Sequence, residues 1–293
     1  MSDQPNMTGK RFLLALLLLA GCATQPVAPN NSAAAPVPVE AEACVASLAA
    51  RAPVHGRPLD AEAIRVVNWN IQKGGDPAWA ADLKALDPSA DLLILQEASP
   101  GLEVLGNVAT QHHLSFAEGF KGFSKQTGVM TLSRATPLGE CDLVAREPWL
   151  GTRKATLVTR YALTGTDETL LVLNIHGVNF SIGARELAEQ IEQAEAIIAA
   201  HDGPVLFSGD FNTWRAGRTQ LLDDAASRLG LVALEYEDDY RKRFRGWALD
   251  HIYTRGLVAV DATSHDVESS DHNPMTVEFR LDGGDDAMMR SVP

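Results

Sequence analysis

The sequence predicts one α/β domain over residues 60–282. Apolar runs of strand length alternate with stretches of helical periodicity, and Gly, Pro, Asn and Asp separate them. Neither an internal repeat nor an interdomain linker interrupts this series, which favours a single α/β fold. Hydrophobic residues make up 45% and charged residues 22% of the 293 residues, an ordinary composition for a globular protein with a sizeable core.

The segment at 1–22 resembles a bacterial lipoprotein signal peptide. The basic pair Lys10-Arg11 precedes an apolar run at 12–19, which is too short to span a membrane and is typical of an export signal. Leu-Ala-Gly-Cys then resembles the lipobox, which implies that Cys22 becomes the lipid-modified first residue of the mature protein. An ordinary signal peptide with an incidental cysteine is the alternative. Ala23 takes the place of the aspartate that retains lipoproteins in the inner membrane, so we expect an outer-membrane anchor facing the periplasm.

A tether is predicted between this signal and the domain. Residues 23–59 are rich in Ala and Pro, with a short helix expected at 40–51, and the tail at 283–293 is expected to be flexible. Cys44 and Cys141 are the cysteines that remain after the signal. An oxidising compartment allows them to form a disulfide, but two free buried thiols fit the sequence equally well.

Local composition defines each element of the domain in turn. Strands are predicted where apolar and β-branched residues run between turn residues, and those at 154–163 and 169–175 form a hairpin over Gly165-Thr166-Asp167. Helices are predicted where apolar residues recur at helical spacing, as in 184–200. The remaining predicted strands are 64–71, 91–97, 128–133, 141–146, 205–212, 231–234, 247–253, 257–261 and 274–281, and the remaining predicted helices are 77–86, 102–113 and 216–229.

The strand at 205–212 is predicted to be central and to end in a functional site. Gly209 lets the backbone turn sharply and approach a ligand without a Cβ in the way. Asp210 and Asn212 lie two residues apart on extended chain and therefore point to one side. Open α/β sheets usually bind their ligands at this C-terminal edge. For this stretch alone, a strand followed by an Asx turn is the alternative.

Several other predicted strands begin or end in polar side chains of the same kinds. Asp, Glu, Asn and His dominate, and none of these residues is a cysteine. An oxygen-rich set with few imidazoles suits a hard cation such as Mg²⁺ or Mn²⁺ better than zinc. The residues are Asn70, Glu97, His176, Asp210, Asn212, Asp250, Asp271 and His272.

Six short motifs, in order, resemble those of the endonuclease/exonuclease/phosphatase superfamily. It includes pancreatic-type deoxyribonucleases, abasic-site endonucleases, inositol polyphosphate 5-phosphatases and bacterial sphingomyelinases. The resemblance runs from about Ile64 to Leu281 and implies a four-layer αββα sandwich, in which two mixed β-sheets are flanked by helices and the site lies at one rim. The motifs are Asn68-Trp69-Asn70-Ile71, Leu95-Gln96-Glu97, Asn174-Ile175-His176, Ser208-Gly209-Asp210-Phe211-Asn212, Leu249-Asp250-His251-Ile252 and Ser270-Asp271-His272-Asn273-Pro274.

The resemblance implies a metal site and a water site. Asn70 and Glu97 would hold Mg²⁺ or Mn²⁺, with Glu97 as the principal carboxylate and Asp271 completing the shell. Asp210 and Asn212 would position and deprotonate the attacking water and touch the phosphate, which suits a carboxylate acceptor beside an amide donor.

Two histidines complete the implied site. His272, with its tautomer fixed by Asp250, would act as a base or as a cationic clamp, and the choice between Asp210 and His272 as general base stays open. His176 would donate to the transferring phosphate. Here the sequence departs from the deoxyribonucleases, because Gln126-Thr127 stands where they carry the glutamate that orients this histidine.

Basic side chains near these motifs are candidates for phosphate contact. They are Lys73, Arg153 and Arg243, the last within a basic run at 241–245 that also fits a solvated loop. His251, beside Asp250 in a strand, should face the opposite way and pack.

The predicted function is metal-dependent hydrolysis of a phosphodiester or phosphomonoester by an exported, lipid-anchored monomer. The substrate is either nucleic acid or a phospholipid or sphingomyelin-type head group. A net charge of −13 argues against non-specific electrostatic binding of long nucleic acid, but a metal ion and a local basic patch can offset this charge. A catalytically silent binding protein on the same fold is the alternative.

Overall fold

The computed structural model of the chain describes residues 38–49, 56–86, 88–102, 112–121, 126–181 and 183–283, all within one compact unit. Several predicted segments lie outside the described residues. They are the signal with Cys22, most of the tether, most of the helix at 102–113 and nearly all of the tail. Among the residues that are described, no helix is long and apolar enough to cross a membrane.

The described elements are strands, four α-helices and a short 3₁₀ turn at Gln72–Gly74. The helices are α1 Val39–Ala49, α2 Trp79–Leu86, α3 Arg185–Ala199 and α4 Ala216–Leu229. The strands are β1 Ile64–Asn70, β2 Leu92–Ala98, β3 His113–Lys121, β4 Gln126–Ser133, β5 Gly139–Arg146, β6 Arg153–Ala162, β7 Thr169–His176, β8 Val205–Asp210, β9 Val232–Ala233, β10 Arg243–Phe244, β11 Trp247–Ala248, β12 Asp250–Arg255, β13 Leu257–Ser264 and β14 Met275–Leu281.

These strands form two six-stranded sheets and one short hairpin. The first sheet has the order β13-β14-β1-β2-β4-β3, the second has the order β5-β6-β7-β8-β12-β9, and β10 pairs with β11 alone. Both sheets are mixed, because β1 runs parallel to β2 and β7 runs parallel to β8 while the other neighbours are antiparallel.

Side chains of the central strands point alternately to the two faces of each sheet, and this builds four layers. Val66 of β1 belongs to an apolar cluster between the sheets that includes Leu206 of β8. The next residue, Val67, belongs to the cluster beneath α2, whereas α1, α3 and α4 share a third cluster with the outer face of the second sheet. Central strands covered on both faces have continuous apolar sequences, as the run in β8 shows. The predicted αββα sandwich is confirmed.

Two predicted elements differ from the structure. The helix predicted at 102–113 is wrong at its end, because His113 begins β3. The buried residues of β3 are Ser115, Ala117 and Gly119, which are too small to give the sequence an apolar alternation. The strand predicted at 247–253 is divided between β11, in its own hairpin, and β12.

A disulfide joins Cys44 of α1 to Cys141 of β5, across 97 residues of sequence. Of the two possibilities that the sequence left open, the structure therefore has the disulfide and not two free buried thiols. It attaches α1 to the edge strand of the second sheet.

Candidate active site

The parallel strand pairs bring the predicted site residues to one edge of the sandwich. Asn70 lies beside Gln96 at the ends of β1 and β2, and His176 lies beside Asp210 at the ends of β7 and β8. Asp250 is the register partner of Asp210 at the start of β12. The Asn70 amide donates to Asp210 at 3.1 Å, so the site joins the edges of both sheets.

A buried amide cluster lies beneath this edge and connects the sheets. The Gln96 amide donates to the side-chain oxygens of Asn68 at 3.1 Å and Asn174 at 2.8 Å, and the Ser208 hydroxyl donates to Asn68 at 2.9 Å. These four residues stand in the motifs, but their sequence context predicts no role for them. Buried polar groups that bond one another define a single arrangement, so the cluster fixes the two sheet edges relative to each other.

Unusual backbone conformations concentrate at the strand ends. Glu97 and Asn212 each have φ of 52°, and Lys73 has φ of 61°, in the left-handed region that costs a non-glycine residue energy. Gly209 has φ of 149°, and a Cβ there would lie 2.0 Å from the carbonyl oxygen of Ile175. Only glycine fits that place, which is why the residue before Asp210 lacks a side chain.

The Asp210 carboxylate is the centre of the site. It is buried, Oδ1 accepts from the backbone N–H of Asn212 at 2.9 Å, and Oδ2 lies 3.5 Å from His176 Nε2 and 3.8 Å from His272 Nε2. Burial raises the pKa of Asp210 to about 6, against the lowering effect of His272. The Asn212 amide donates to the carbonyl of Gly177 at 2.9 Å, which fixes it beside this carboxylate.

Asp250 holds the ring of His272 in place. His272 Nδ1 lies 2.7 Å from Asp250 Oδ2, so Nδ1–H donates to the carboxylate and Nε2 faces Asp210. Burial lowers the pKa of His272, but the charges of Asp250 and Asp210 outweigh it and raise the pKa to about 10. The imidazole is therefore held as an imidazolium between two carboxylates.

Lys154 contacts His176, a pairing that the sequence did not reveal. Its Nζ lies 2.6 Å from Nε2 of His176, so the ammonium donates and the imidazole accepts. Burial first, and then the charge of Lys154, lower the pKa of His176 well below 6.5. Gln126, at the place of the absent glutamate, instead donates to Glu118. Lys154 is thus a partner of this histidine and adds a positive charge, but it bonds the nitrogen that faces Asp210, so that nitrogen accepts a hydrogen bond here and does not act as the donor to phosphate that the resemblance implies.

Glu97 and Asn70 offer oxygen donors next to this centre. Glu97 is half-buried, and its Oε2 forms a salt bridge with Lys73 Nζ at 2.9 Å. Asn70 Oδ1 accepts from the backbone N–H of Gln72 at 3.1 Å. Asp271 is exposed and acts on the site through its charge, which raises the pKa of His272. A carboxylate that attracts a cation, beside an amide oxygen, fits a hard divalent ion.

A second group of acidic and imidazole ligands lies deeper. Asp210, Asp250 and His272 are buried and offer one ligand atom each within 4.8 Å of one another. Because His272 Nδ1 is already bonded to Asp250, this trio suits proton transfer better than an open metal site. Glu97 and Asn70 are therefore the better candidates for the ion.

A cleft of about 250 Å³ opens beside Glu97 and His176. Lys73, Arg153 and Lys154 line it, so two of the three predicted phosphate contacts face the site. The third, Arg243, lies outside that lining and donates to Asp239 and to the carbonyl of Gly246. His251 contacts the hydroxyl of Thr213 and packs edge-on against Phe211.

The comparisons with known proteins agree with this geometry. A model described as "Endonuclease/Exonuclease/phosphatase family" matches residues 67–272. A UPF0294 protein of Yersinia pseudotuberculosis is 41% identical over 229 residues, which cover 77% of this chain and 87% of that protein. The human Nocturnin catalytic domain with bound sulfate is 14% identical with a TM-score of 0.59, over 77% of this chain and 96% of that one. D. rerio TDP2 complexed with single-strand DNA product is 15% identical with a TM-score of 0.52, over 75% and 99%. At these identities, the two structures show a shared fold.

Proposed function

This chain belongs to the endonuclease/exonuclease/phosphatase family, and on that premise we propose that it hydrolyses a phosphate ester by in-line attack of an activated water. Members of the family are hydrolases that act on phosphoester bonds and generally use divalent metals. The observation that carries the proposal is the buried Asp210 carboxylate, which lies within 3.8 Å of both His176 and His272.

Asp210 accepts the proton of the attacking water in this proposal. His272 has a carboxylate at each ring nitrogen, which stabilises its protonated form and makes it a poor base. It serves instead as a cation that offsets charge on the phosphoryl oxygens. The attack forms a new P–O bond at phosphorus, and the opposite P–O ester bond breaks. The Asn212 and Asn70 amides hold the Asp210 carboxylate for this step.

Glu97 and Asn70 would hold Mg²⁺ or Mn²⁺. When bound, the ion supplies Lewis-acid polarisation of the phosphoryl group. Lys73, whose Nζ lies 2.9 Å from Glu97 Oε2, lines the same cleft and would be within reach of a phosphate oxygen bound there. Lys154 and Arg153 add positive charge to that cleft, so an anionic substrate fits there in spite of the net charge of −13.

The substrate is a phosphodiester or phosphomonoester of a nucleic acid or of a phospholipid or sphingomyelin-type head group. TDP2, which shares the fold, was solved with a single-strand DNA product, and this supports the first class. A predicted lipid anchor at Cys22 on the periplasmic side of the outer membrane supports the second. We further propose that the exported chain acts as a monomer.

Hydrolysis of bis-(p-nitrophenyl) phosphate by the purified chain tests the proposal. We expect turnover with Mg²⁺ or Mn²⁺, its loss on chelation, and its loss in Asp210→Ala and His272→Ala. Asp261→Asn and His265→Ala, in and beside an edge strand of the first sheet, are matched controls that should keep activity. An absence of turnover with either ion on this diester and on DNA, RNA, phosphoinositide and sphingomyelin would favour the binding-protein alternative.

A further inference from the structure

Large apolar side chains are exposed around the mouth of the cleft. Trp149 is 62% exposed and Leu150 is 61% exposed, both in the loop between β5 and β6. Phe180, which follows β7, and Phe244, in the β10–β11 hairpin, are about half exposed. We call this set the apolar rim, and its members are Phe120, Trp149, Leu150, Phe180, Phe244 and Trp247.

The rim is one continuous surface. Phe120, Leu150 and Phe180 line the cleft that contains Glu97 and His176. Phe180 also lines a neighbouring groove of about 590 Å³ together with Trp149 and Phe244, and that groove reaches Asn212. Trp247 is the register partner of Phe244 in the hairpin. Contiguous exposed apolar surface of this kind marks an interaction site, since it is costly to leave in water.

Positive charge accompanies the rim. Arg243 and Arg245 are exposed on the same hairpin as Phe244 and Trp247, and the Arg245 guanidinium lies 5.5 Å from the centre of the Phe244 ring. One of the pair, Arg243, is partly neutralised by Asp239. Aromatic side chains with neighbouring arginines form the composition that favours the interface of an anionic lipid bilayer. This local charge contrasts with the net charge of −13 of the whole chain.

We propose that the apolar rim docks on the surface of an anionic lipid bilayer, with the mouth of the cleft facing the lipid head groups. The rings of Trp214 and Phe244 meet at 85°, so they offer no parallel shelf for stacked bases. Trp149 and Leu150 are the most exposed members of the rim, and Leu150 has no ring to stack. The sequence before the domain carries the apolar run at 12–19 and Cys22, the predicted lipid anchor, so a membrane is the surface at which we expect this chain to act. The choice of a bilayer as the occupant uses the predicted anchor at Cys22 and so rests in part on the proposed function, whereas the exposure of the rim does not.

Tryptophan quenching by brominated phospholipids tests the docking directly. Vesicles of phosphatidylcholine and phosphatidylglycerol with bromine on the acyl chains quench an indole only when it enters the acyl region. The full chain is suitable, because its first tryptophan is Trp69 and the N-terminal segment therefore contributes no signal. Trp69 and Trp79 are buried in the domain, Trp149 and Trp247 are exposed, and Trp214, which lines the groove beside the rim, is half-buried. We expect strong quenching of the native chain, and Trp149→Phe combined with Trp247→Phe should remove more than half of it.

The control variants distinguish docking through the rim from non-specific hydrophobic adsorption. Trp79→Phe should keep the quenching, and Val260→Ser, which changes a similarly exposed apolar residue on β13, should not weaken it. Arg245→Ser should raise the anionic vesicle concentration for half-maximal quenching about fivefold and leave neutral vesicles unaffected.

Two results would overturn the proposal. One is equal quenching in every variant, or none in the native chain. The other is quenching of Trp149 by a single-stranded oligonucleotide without any by vesicles, which would instead identify the rim as a base-binding surface. Because no turnover is measured, failure here is distinct from failure of the proposed hydrolysis.

Discussion

Replacing Asp250 by Asn tests whether the charge on His272 drives catalysis. The two side chains meet at 2.7 Å and both are buried, so the amide keeps the shape of the pair while it removes the charge. The pKa of His272 is about 10 in the native chain, and loss of the Asp250 charge and hydrogen bond should lower it towards 6.5, while Asp210 and Asp271 still act to raise it. At pH 8 a group with a pKa of 6.5 is protonated in only about one molecule in thirty. We therefore expect Asp250→Asn to lower kcat by up to about 30-fold at pH 8.

The pH dependence of this loss distinguishes charge from structure. Activity that needs the imidazolium is lost as pH rises through the pKa of His272, so the loss in the variant should shrink below pH 6 and grow above pH 8. Because Asp250 and His272 also act on Asp210, whose pKa is about 6, the ratio of native to variant rates is most informative above pH 7, where the native Asp210 is ionised. Hydrolysis of bis-(p-nitrophenyl) phosphate from pH 5.5 to 9.5 measures the ratio, and Asp261→Asn serves as an exposed control. A ratio that stays constant over this range would refute the reasoning, because it would assign Asp250 a purely structural role.

Four further outcomes are expected. Glu97→Gln should raise the Mg²⁺ concentration for half-maximal activity about tenfold or more, and calorimetric titration of the ion should show the same weakening. Lys154→Met should lower kcat/KM about 10- to 100-fold through loss of a charged hydrogen bond, and Lys154→Arg should restore part of it in the same assay. Burial lowers the pKa of His251 to about 4, so between pH 6.5 and 4 the unfolded chain binds a proton at this residue that the folded chain does not. Acidification over this range should therefore lower the free energy of unfolding by about 3 kcal/mol at most. Urea unfolding of His251→Gln should show a smaller loss. Serine at both Cys44 and Cys141 opens a loop of 97 residues and should lower the unfolding free energy by about 4 kcal/mol, whereas a loss below about 1 kcal/mol in urea unfolding would contradict the loop-closure argument.

The fold was predictable where burial on two faces made the strands continuously apolar. The run in β8 and the helical spacing in α3 are examples, since both patterns follow directly from packing against neighbours on opposite sides. β3 was not predictable in this way. Its inward residues are Ser115, Ala117 and Gly119, and its place in the sheet depends on pairing with β4 rather than on its own composition. This pairing requires a glycine in β4, because a Cβ on Gly128, opposite Glu118, would lie 1.9 Å from the backbone carbonyl oxygen of Ala117.

In the site, too, residues within a motif could be predicted from the sequence, whereas contacts between strands could not. A polar residue beside an apolar strand can be recognised in the sequence, so Asp210 and His272 could be predicted from their motifs. A partner from another strand cannot be, because nothing near Lys154 in the sequence indicates that its ammonium will meet His176 at 2.6 Å. Arg153 and Lys154 are adjacent, yet Lys154 contacts His176 on β7 while Arg153 lies 3.5 Å from Glu118 on β3. Neighbouring residues of β6 thus meet partners on different strands, and those partners are far away in the sequence. The positive charge beside His176 therefore depends on how β6, β7 and β3 are brought together, which the local sequence of β6 does not show.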